Sequence, residues 1–494
     1  MSFNRNLPAI LCFAGVVSFL VFVLWYVMGQ GYMPFNEDES IFYNSGRLFY
    51  ETGSIKGFNC VDEKFSIVFS ANWYGIMYNI FYGGIAKITG FNNSYFIWIN
   101  IVSVILSVPF ILMLAPDGNK RFLMLAAFFM FFMVPGYCFT YFPEAPNIFF
   151  GIVLTFLLFG IAKNEEAAGL KILYALLCFL FALFRVTWIF WLIGLLPFMN
   201  NFARRILYIV FTLTAIGLAF LYVQYCSAPY LAQGGGMIMA DLMKGHVGDF
   251  IKGIFKHLLI NIDTYVFVEG VHVSRAFLPV KFFSVLVSVW LFISIFFLKD
   301  KFVKAAALIW LLAMAVMFSV YATVHPYFLK VTASLFLLAF FAVIHSGQKV
   351  MLSLLVLALI LAFPFVCIET IHTISDRKQA FVEAQTIYAP ILKAEREIGA
   401  HLMPMRETII HTLVYEYYPM PLAFYLCNLP ASVPQKQTVR YTVSKYGAGI
   451  PYEANFNPKH ILKVDYLLAR KPVARDDVRL VFNNDYFYLY RFLD

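Results

Sequence analysis

Residues 350–368 read VMLSLLVLALILAFPFVCI, nineteen positions without one charged side chain. As an α-helix they would extend about 28 Å, close to the roughly 30 Å hydrocarbon core of a bilayer. Charge returns directly afterwards. Residues 369–494 hold 28 of the chain's 65 charged residues and residues 1–368 hold 37, which is about 22% of the tail against about 10% of the rest. A membrane domain over 1–368 and a water-soluble domain over 369–494 follow from that contrast, and the second is long enough to build its own core.

The whole chain agrees. Of its 494 residues 61% are apolar and 13% charged, about half the charge of an ordinary soluble domain. Mean hydropathy is +0.75. Disordered, collagen-like and disulfide-scaffold classes are excluded on composition. Working back from 350–368, apolar runs recur near 8–29, 95–115, 122–138, 147–162, 172–185, 187–199, 206–226, 280–298, 305–322 and 329–345, so the expectation is about eleven transmembrane helices. The run 8–29 exceeds a signal-peptide core and lacks a small-x-small cleavage site, so it reads as a retained anchor. The pair 172–185 and 187–199 is short, with Arg185 at the turn between its halves.

The basic residues orient the spans. Arg5, Lys120, Arg121, Lys163, Lys171, Arg204, Arg205, Lys299, Lys301, Lys304 and Lys349 all fall in loops of one parity, which the positive-inside rule makes cytoplasmic. The opposite loops 30–94, 139–146, 227–279 and 323–328 then face outward with the tail, as expected of a multi-pass protein of the cell's inner (plasma) membrane. The net charge of +9 is accounted for by these loops, and no basic stripe interleaved with aromatics suggests nucleic acid. Seven cysteines show no metal-ligand spacing, and a disulfide between Cys60 and Cys427 cannot be argued from sequence.

Several outward segments read as structured. Residues 41–50 suit a helix ended by Gly53. Residues 72–89 and 236–260 suit helices lying in the membrane interface. In the tail, 377–399 and 417–427 read as helices and 407–413, 461–468 and 478–492 as strands, an extracytoplasmic α/β domain. No phosphate-cradling glycine motif occurs in it.

The stretch Asn36-Glu37-Asp38-Glu39-Ser40 places three carboxylates just past the first span. Acids capping the helix that follows are one reading. Glu144 opens another. It is the single charge in the short outward loop Tyr141-Phe142-Pro143-Glu144-Ala145-Pro146, so Asp38 and Glu144 stand at helix mouths on one face of the membrane. Two acids converging on one cavity can deprotonate an acceptor and stabilise developing positive charge. Arg185, well inside apolar sequence, costs about 3 kcal/mol to insert even on the lenient scale, and so calls for a partner or a ligand, unless it snorkels to the interface.

The run from Asp38 to Gly53 resembles the first outer loop of GT-C glycosyltransferases, which include protein O-mannosyltransferases and the aminoarabinose transferases that modify lipid A. The Asp-Glu pair, an aromatic (Phe42), the helical Arg47 and the closing Gly53 all occur, and Glu144 matches the family's second acidic position. Ala71-Asn72-Trp73-Tyr74 replaces the usual His/Lys-Pro-Pro-Leu, and His325-Pro326-Tyr327 replaces a late Arg-Tyr. The resemblance implies an enzyme that takes a sugar from a polyprenyl phosphate on the outer leaflet and passes it, with inversion, to a lipid, glycan or protein acceptor. It implies Asp38 as base with Glu39 and Glu144 orienting the substrates, Arg185, Lys330 and His325 on the donor phosphate, and Arg47, Tyr327, Lys256 and His257 in support. Some members hold a divalent metal between the two acids, here Asp38 and Glu144, and others hold none. A lipid-linked-sugar flippase or transporter, or a non-catalytic envelope assembly protein, are the rival classes. The long outward loops, the soluble tail and the lack of an inverted repeat speak against a carrier.

The odd number of spans puts the tail outside the cytoplasm. A reporter active only outside the cytoplasm, fused after Asp494, is expected to be active. A silent reporter beside an active cytoplasmic one would overturn the orientation.

Overall fold

The structure is a computed structural model. It describes residues 31–32, 37–53, 76–92, 94–115, 117–131, 133–226, 245–266, 277–320 and 327–383, the segments 411–414, 440–443, 466–469, 478–483 and 488–493, and isolated residues elsewhere. The helices in chain order are α1 (Glu37–Thr52), α2 (Met77–Thr89), α3 (Tyr95–Leu114), α4 (Gly118–Met130), α5 (Met133–Cys138), α6 (Glu144–Lys163), α7 (Ala168–Ala182), a 3₁₀ helix (Val186–Phe198), α8 (Phe202–Cys226), α9 (Val247–Val266), α10 (Phe277–Phe297), α11 (Lys301–Val320), α12 (Tyr327–Ser346) and α13 (Lys349–Glu383). Among the described residues six helices are long and apolar enough to cross a bilayer, and three more are apolar but shorter. The chain is a multi-span membrane protein. The first run, 8–29, lies almost wholly outside the described residues.

Contacts divide the chain into two compact units. One comprises 1–26, 73–77 and 96–374, and the other 27–72, 78–95 and 375–494.

In the first unit, the run 122–138 is not one span. α4 ends at Phe131, whose backbone turns to φ −75°, ψ 114°, and α5 restarts at Met133. Pro135 explains the break: a proline ring clashes with the carbonyl four residues earlier, which is that of Phe131, whereas in the first turn of a new helix its missing N–H costs nothing.

The segment after Arg185 adopts a 3₁₀ helix thirteen residues long. At about 2.0 Å per residue it covers about 26 Å, where an α-helix of the same length would cover about 20 Å. The tighter winding lets a short segment approach bilayer thickness. Such geometry weakens the backbone hydrogen bonds, and the neighbours supply reinforcement. The Tyr174 hydroxyl donates to the Trp191 carbonyl at 2.7 Å and the Tyr208 hydroxyl to that of Leu192 at 2.8 Å. Trp188, Phe190, Trp191 and Leu195 of the same helix are buried.

At one end of the bundle polar side chains tie the helix termini. His345 pairs with Asp300 at 3.0 Å, and Lys120 Nζ donates to the His345 carbonyl at 3.0 Å. The hydrogen bond from His345 holds the Asp300 carboxyl below the usual carboxylate range. Lys301 pairs with Glu165. α13 then runs for 35 residues without interruption, so the last apolar run and the start of the 377–399 helix form one element.

In the second unit α1 ends at Gly53, with φ 72°, enclosing the 41–50 helix read from sequence. The interface-type segment 72–89 contains α2. Phe42 meets Tyr78 edge-on, and Tyr43 meets Phe91. Lys87 lies 5.2 Å over the Phe49 ring. A Cβ on Gly83 would fall 2.7 Å from the Gly46 carbonyl oxygen, so this close crossing of α1 and α2 depends on glycine.

The tail contributes a five-stranded sheet of order β2-β1-β3-β5-β4, from β1 (His411–Val414), β2 (Arg440–Val443), β3 (Tyr466–Ala469), β4 (Val478–Asn483) and β5 (Tyr488–Phe492). β1 pairs in parallel with β2 and β3, while β5 pairs antiparallel with β3 and β4. The stretch 478–492 is thus two strands rather than one. Between the two strands the sequence runs Asn484-Asp485-Tyr486-Phe487, and Asn and Asp are residue types suited to a turn. β2 carried no strand reading from sequence. The helix read at 417–427 lies outside the described residues.

Removing a hydroxyl that supports the 3₁₀ helix exposes its role. Tyr174→Phe leaves a buried carbonyl short of a donor and is expected to cost about 1–3 kcal/mol, with the partly buried Tyr208→Phe costing less. Thermal unfolding in detergent micelles measures both.

Candidate active site

The acids read from sequence fall into the two units, Asp38 and Glu39 in one and Glu144 in the other.

Glu144 is the first residue of α6, where the helix dipole favours a negative charge. The loop before it is held by Asn100 of α3, whose Nδ2 donates to the carbonyls of Tyr137 (3.2 Å), Thr140 (2.7 Å) and Phe142 (3.1 Å). Arg185 stands between α7 and the 3₁₀ helix in extended backbone, φ −151°, ψ 119°. The Tyr222 hydroxyl donates to the Leu183 carbonyl nearby at 3.0 Å. From there the guanidinium reaches Glu144 as a fork. Nη1 donates to Oε2 and Nη2 to Oε1, both at 2.7 Å. Glu144 is 1% exposed and Arg185 3%. The charge inside apolar sequence therefore has a partner, and two of the sequence-derived site residues meet each other.

One turn along α6, Asn147 extends the network. Its Oδ1 accepts from Trp188 Nε1 at 3.1 Å, its Nδ2 donates to the Pro143 carbonyl at 2.7 Å, and its own carbonyl accepts from Ser334 Oγ at 3.1 Å. Phe150 stacks on Phe181 with centroids 4.1 Å apart and meets Phe184 and Trp188 edge-on. Such apolar walls strengthen an ion pair that has already met its desolvation cost.

In the other unit α1 carries Glu37, Asp38 and Glu39 in its first turn and Arg47 further along. Glu39 is fully buried and its carboxylate accepts from Arg377 Nη2, on the last turns of α13. Tyr32 is buried in the same cluster, and burial pushes its hydroxyl far above the ordinary range while Arg377 opposes that shift. A Cβ on Gly31, which has φ 79°, would fall 2.2 Å from the Phe381 ring, so α13 also seats on the chain just ahead of α1. Asp38 is the residue next to this anchored position.

The remaining sequence-derived residues are dispersed. Lys256 is exposed on α9. His257 Nδ1 lies 3.2 Å from the Ser319 carbonyl oxygen, and Asn261 Nδ2 donates to that of Phe318 at 2.8 Å. His257 thus docks α9 on the end of α11. Tyr327 and Lys330 are on α12, and His325 lies outside the described residues. Sequence reasoning missed Arg377, Tyr32, Asn147 and Trp188. Asn147 carried a local signal, since it follows Glu144 by one helical turn. Arg377 carried none, being one of many charges in the tail.

A divalent metal at Glu144 fits poorly. Both of its carboxylate oxygens accept from Arg185, so an ion would have to displace a cation already forked onto them. Among the described residues no group of three His, Cys, Asp or Glu side chains is placed to hold a metal.

No family model matches the sequence, and no curated protein matches it. Among solved structures the chain is similar to ArnT from Cupriavidus metallidurans, in crystal structures bound to undecaprenyl phosphate and in the apo state. In each case the sequences are 11% identical, 98% of both chains is covered and the TM-score is 0.48.

Breaking the Glu144–Arg185 fork from one side strands a buried charge. Arg185→Leu alone is expected to cost about 3–5 kcal/mol, and the double variant Glu144→Met with Arg185→Leu to recover most of it. Thermal unfolding of the three proteins in micelles checks the order. Equal destabilisation of single and double variants would refute it.

Proposed function

We propose that this chain is an integral-membrane glycosyltransferase that moves a sugar from a polyprenyl-phosphate donor to an extracytoplasmic lipid, glycan or protein acceptor, with inversion. The observation that carries the reading is the position of Asp38. It stands in the first turn of α1, where the helix dipole favours negative charge. Its neighbour Glu39 is committed to a buried ion pair with Arg377, so of the Asp-Glu pair it is Asp38 that is assigned the chemistry. The motif from Asp38 to Gly53 supports the same assignment.

In this reading the acceptor O–H gives its proton to the Asp38 carboxylate as the acceptor oxygen bonds to the anomeric carbon. The bond from that carbon to the phosphate oxygen breaks, and the phosphate leaves with the electron pair. A single displacement inverts the centre. Glu144, whose two oxygens both accept from Arg185, orients substrate through that guanidinium on the donor side, whose charge the fork largely neutralises. Lys330 and His325 meet the leaving phosphate, with Arg47, Tyr327, Lys256 and His257 in support. The spans number about eleven and the tail forms an extracytoplasmic α/β domain in this proposal.

Intact-lipid mass spectrometry of the purified protein is expected to find a glycosyl polyprenyl phosphate. With that donor and its acceptor, Asp38→Ala is expected to lose transfer by about 10²–10⁴-fold, the usual contribution of general base catalysis, while donor lipid still copurifies. Glu144→Gln is expected to lose less. Full transfer by Asp38→Ala overturns the assignment of the base. Movement of a labelled lipid across the bilayer without a new glycosidic bond favours the carrier class instead.

A further inference from the structure

Arg377 lies on the last turns of α13, in sequence that reads as the opening of the soluble tail. Its guanidinium is buried and donates to Glu39, 338 residues earlier. Glu39 is itself fully buried, Tyr32 is buried within electrostatic reach of both charges, and Phe381 of the same helix seats on Gly31. A buried ion pair favours one geometry, because moving either partner strands a charge away from water. The pair therefore fixes the backbone of Glu39. Asp38 is one peptide unit away, its Cα about 3.8 Å from that of Glu39, so its backbone is fixed as well.

We infer that Arg377 is a positioning residue for transfer, acting through Glu39 to hold the base Asp38, and this rests on the reading of Asp38 under the proposed function. The donor's long apolar tail and phosphate are bound by other parts of the chain in that reading. Losing Arg377 therefore changes the chemical step and leaves donor binding alone. A misplacement of about 1 Å at a reacting group costs up to about 10²-fold in rate, which sets the scale of the effect.

The experiment is steady-state transfer by the full-length protein in micelles, with glycosyl polyprenyl phosphate as donor, comparing Arg377→Gln, Arg377→Lys, Glu39→Gln and Asp38→Ala. Arg377→Gln is expected to lower kcat by roughly 10–100-fold with donor KM changed less than about threefold. Arg377→Lys, which restores a cation but not the planar guanidinium, recovers part of the rate. Glu39→Gln keeps the shape and an acceptor oxygen, and shows the same kcat-weighted loss. An unchanged kcat in Arg377→Gln or in Glu39→Gln overturns the inference. So does a loss in which donor KM rises in step with falling kcat, the pattern of a merely structural residue. If Arg377→Gln does not fold, Glu39→Gln and Arg377→Lys decide alone. Asp38→Ala separates the two levels: full activity in that variant sinks the assignment of the base, whereas its inactivity beside a fully active Arg377→Gln sinks only the positioning role.

Discussion

An unpaired guanidinium inside apolar sequence is among the most expensive features a membrane protein can carry. Arg185 meets that cost by forking onto Glu144, and much of the surrounding structure follows from the pairing. The carboxylate has to arrive at the same depth, so the short loop before α6 is pinned by three hydrogen bonds from Asn100. The guanidinium has to leave the chain at an angle, so the backbone is extended at Arg185, between α7 and the 3₁₀ helix. Asn147 and Trp188 then occupy the next layer. Each residue in that chain of contacts is polar and bonds to another, as a low-dielectric interior favours.

The 3₁₀ helix answers a second demand of the same interior. In hydrocarbon no backbone group can fall back on water, yet thirteen residues of α-helix would fall well short of the bilayer's thickness. Winding them more tightly lengthens the segment, and tyrosines from α7 and α8 make good the weaker hydrogen bonds. The aromatic richness of the chain thus serves two ends. Some rings face lipid, as the exposed Phe282 and Phe296 of α10 do, while Tyr174 and Tyr208 deliver a hydroxyl to a carbonyl that would otherwise be poorly satisfied.

How much of this was legible in the sequence depends on range. Local signals worked. Six of the apolar runs marked the helices that are long enough to cross a bilayer among the described residues, Gly53 marked the end of α1, and Arg185 announced its need for a partner. The identity of that partner was not legible, because Glu144 lies 41 residues away and no periodicity joins them. Hydropathy reports burial but not the bonding pattern, so it did not separate a 3₁₀ helix from an α-helix over 186–198. The break at Phe131 was readable in principle from Pro135 but was masked by unbroken apolarity on both sides. The hairpin in 478–492 was masked by aromatic content, though Asn484-Asp485 marked it. Of the candidate site, the acids were visible as types at helix starts. What each one faces was not, since Arg377 is one charge among many until the fold brings it to Glu39.

That last pairing also sets an order of events during synthesis. Glu39 emerges early and its partner 338 residues later. At roughly 5–20 residues per second, a ribosome needs about 20–70 s to cover that distance. Throughout that interval the first turn of α1 holds a carboxylate that its final burial would make costly, so the segment stays out of its native seat until the last spanning helix has been made. Closure of the pair follows synthesis of the last spanning helix, and a chain truncated before Arg377 cannot complete it. The contact that steadies the start of α1 is thereby also a check that the last spanning helix has been made.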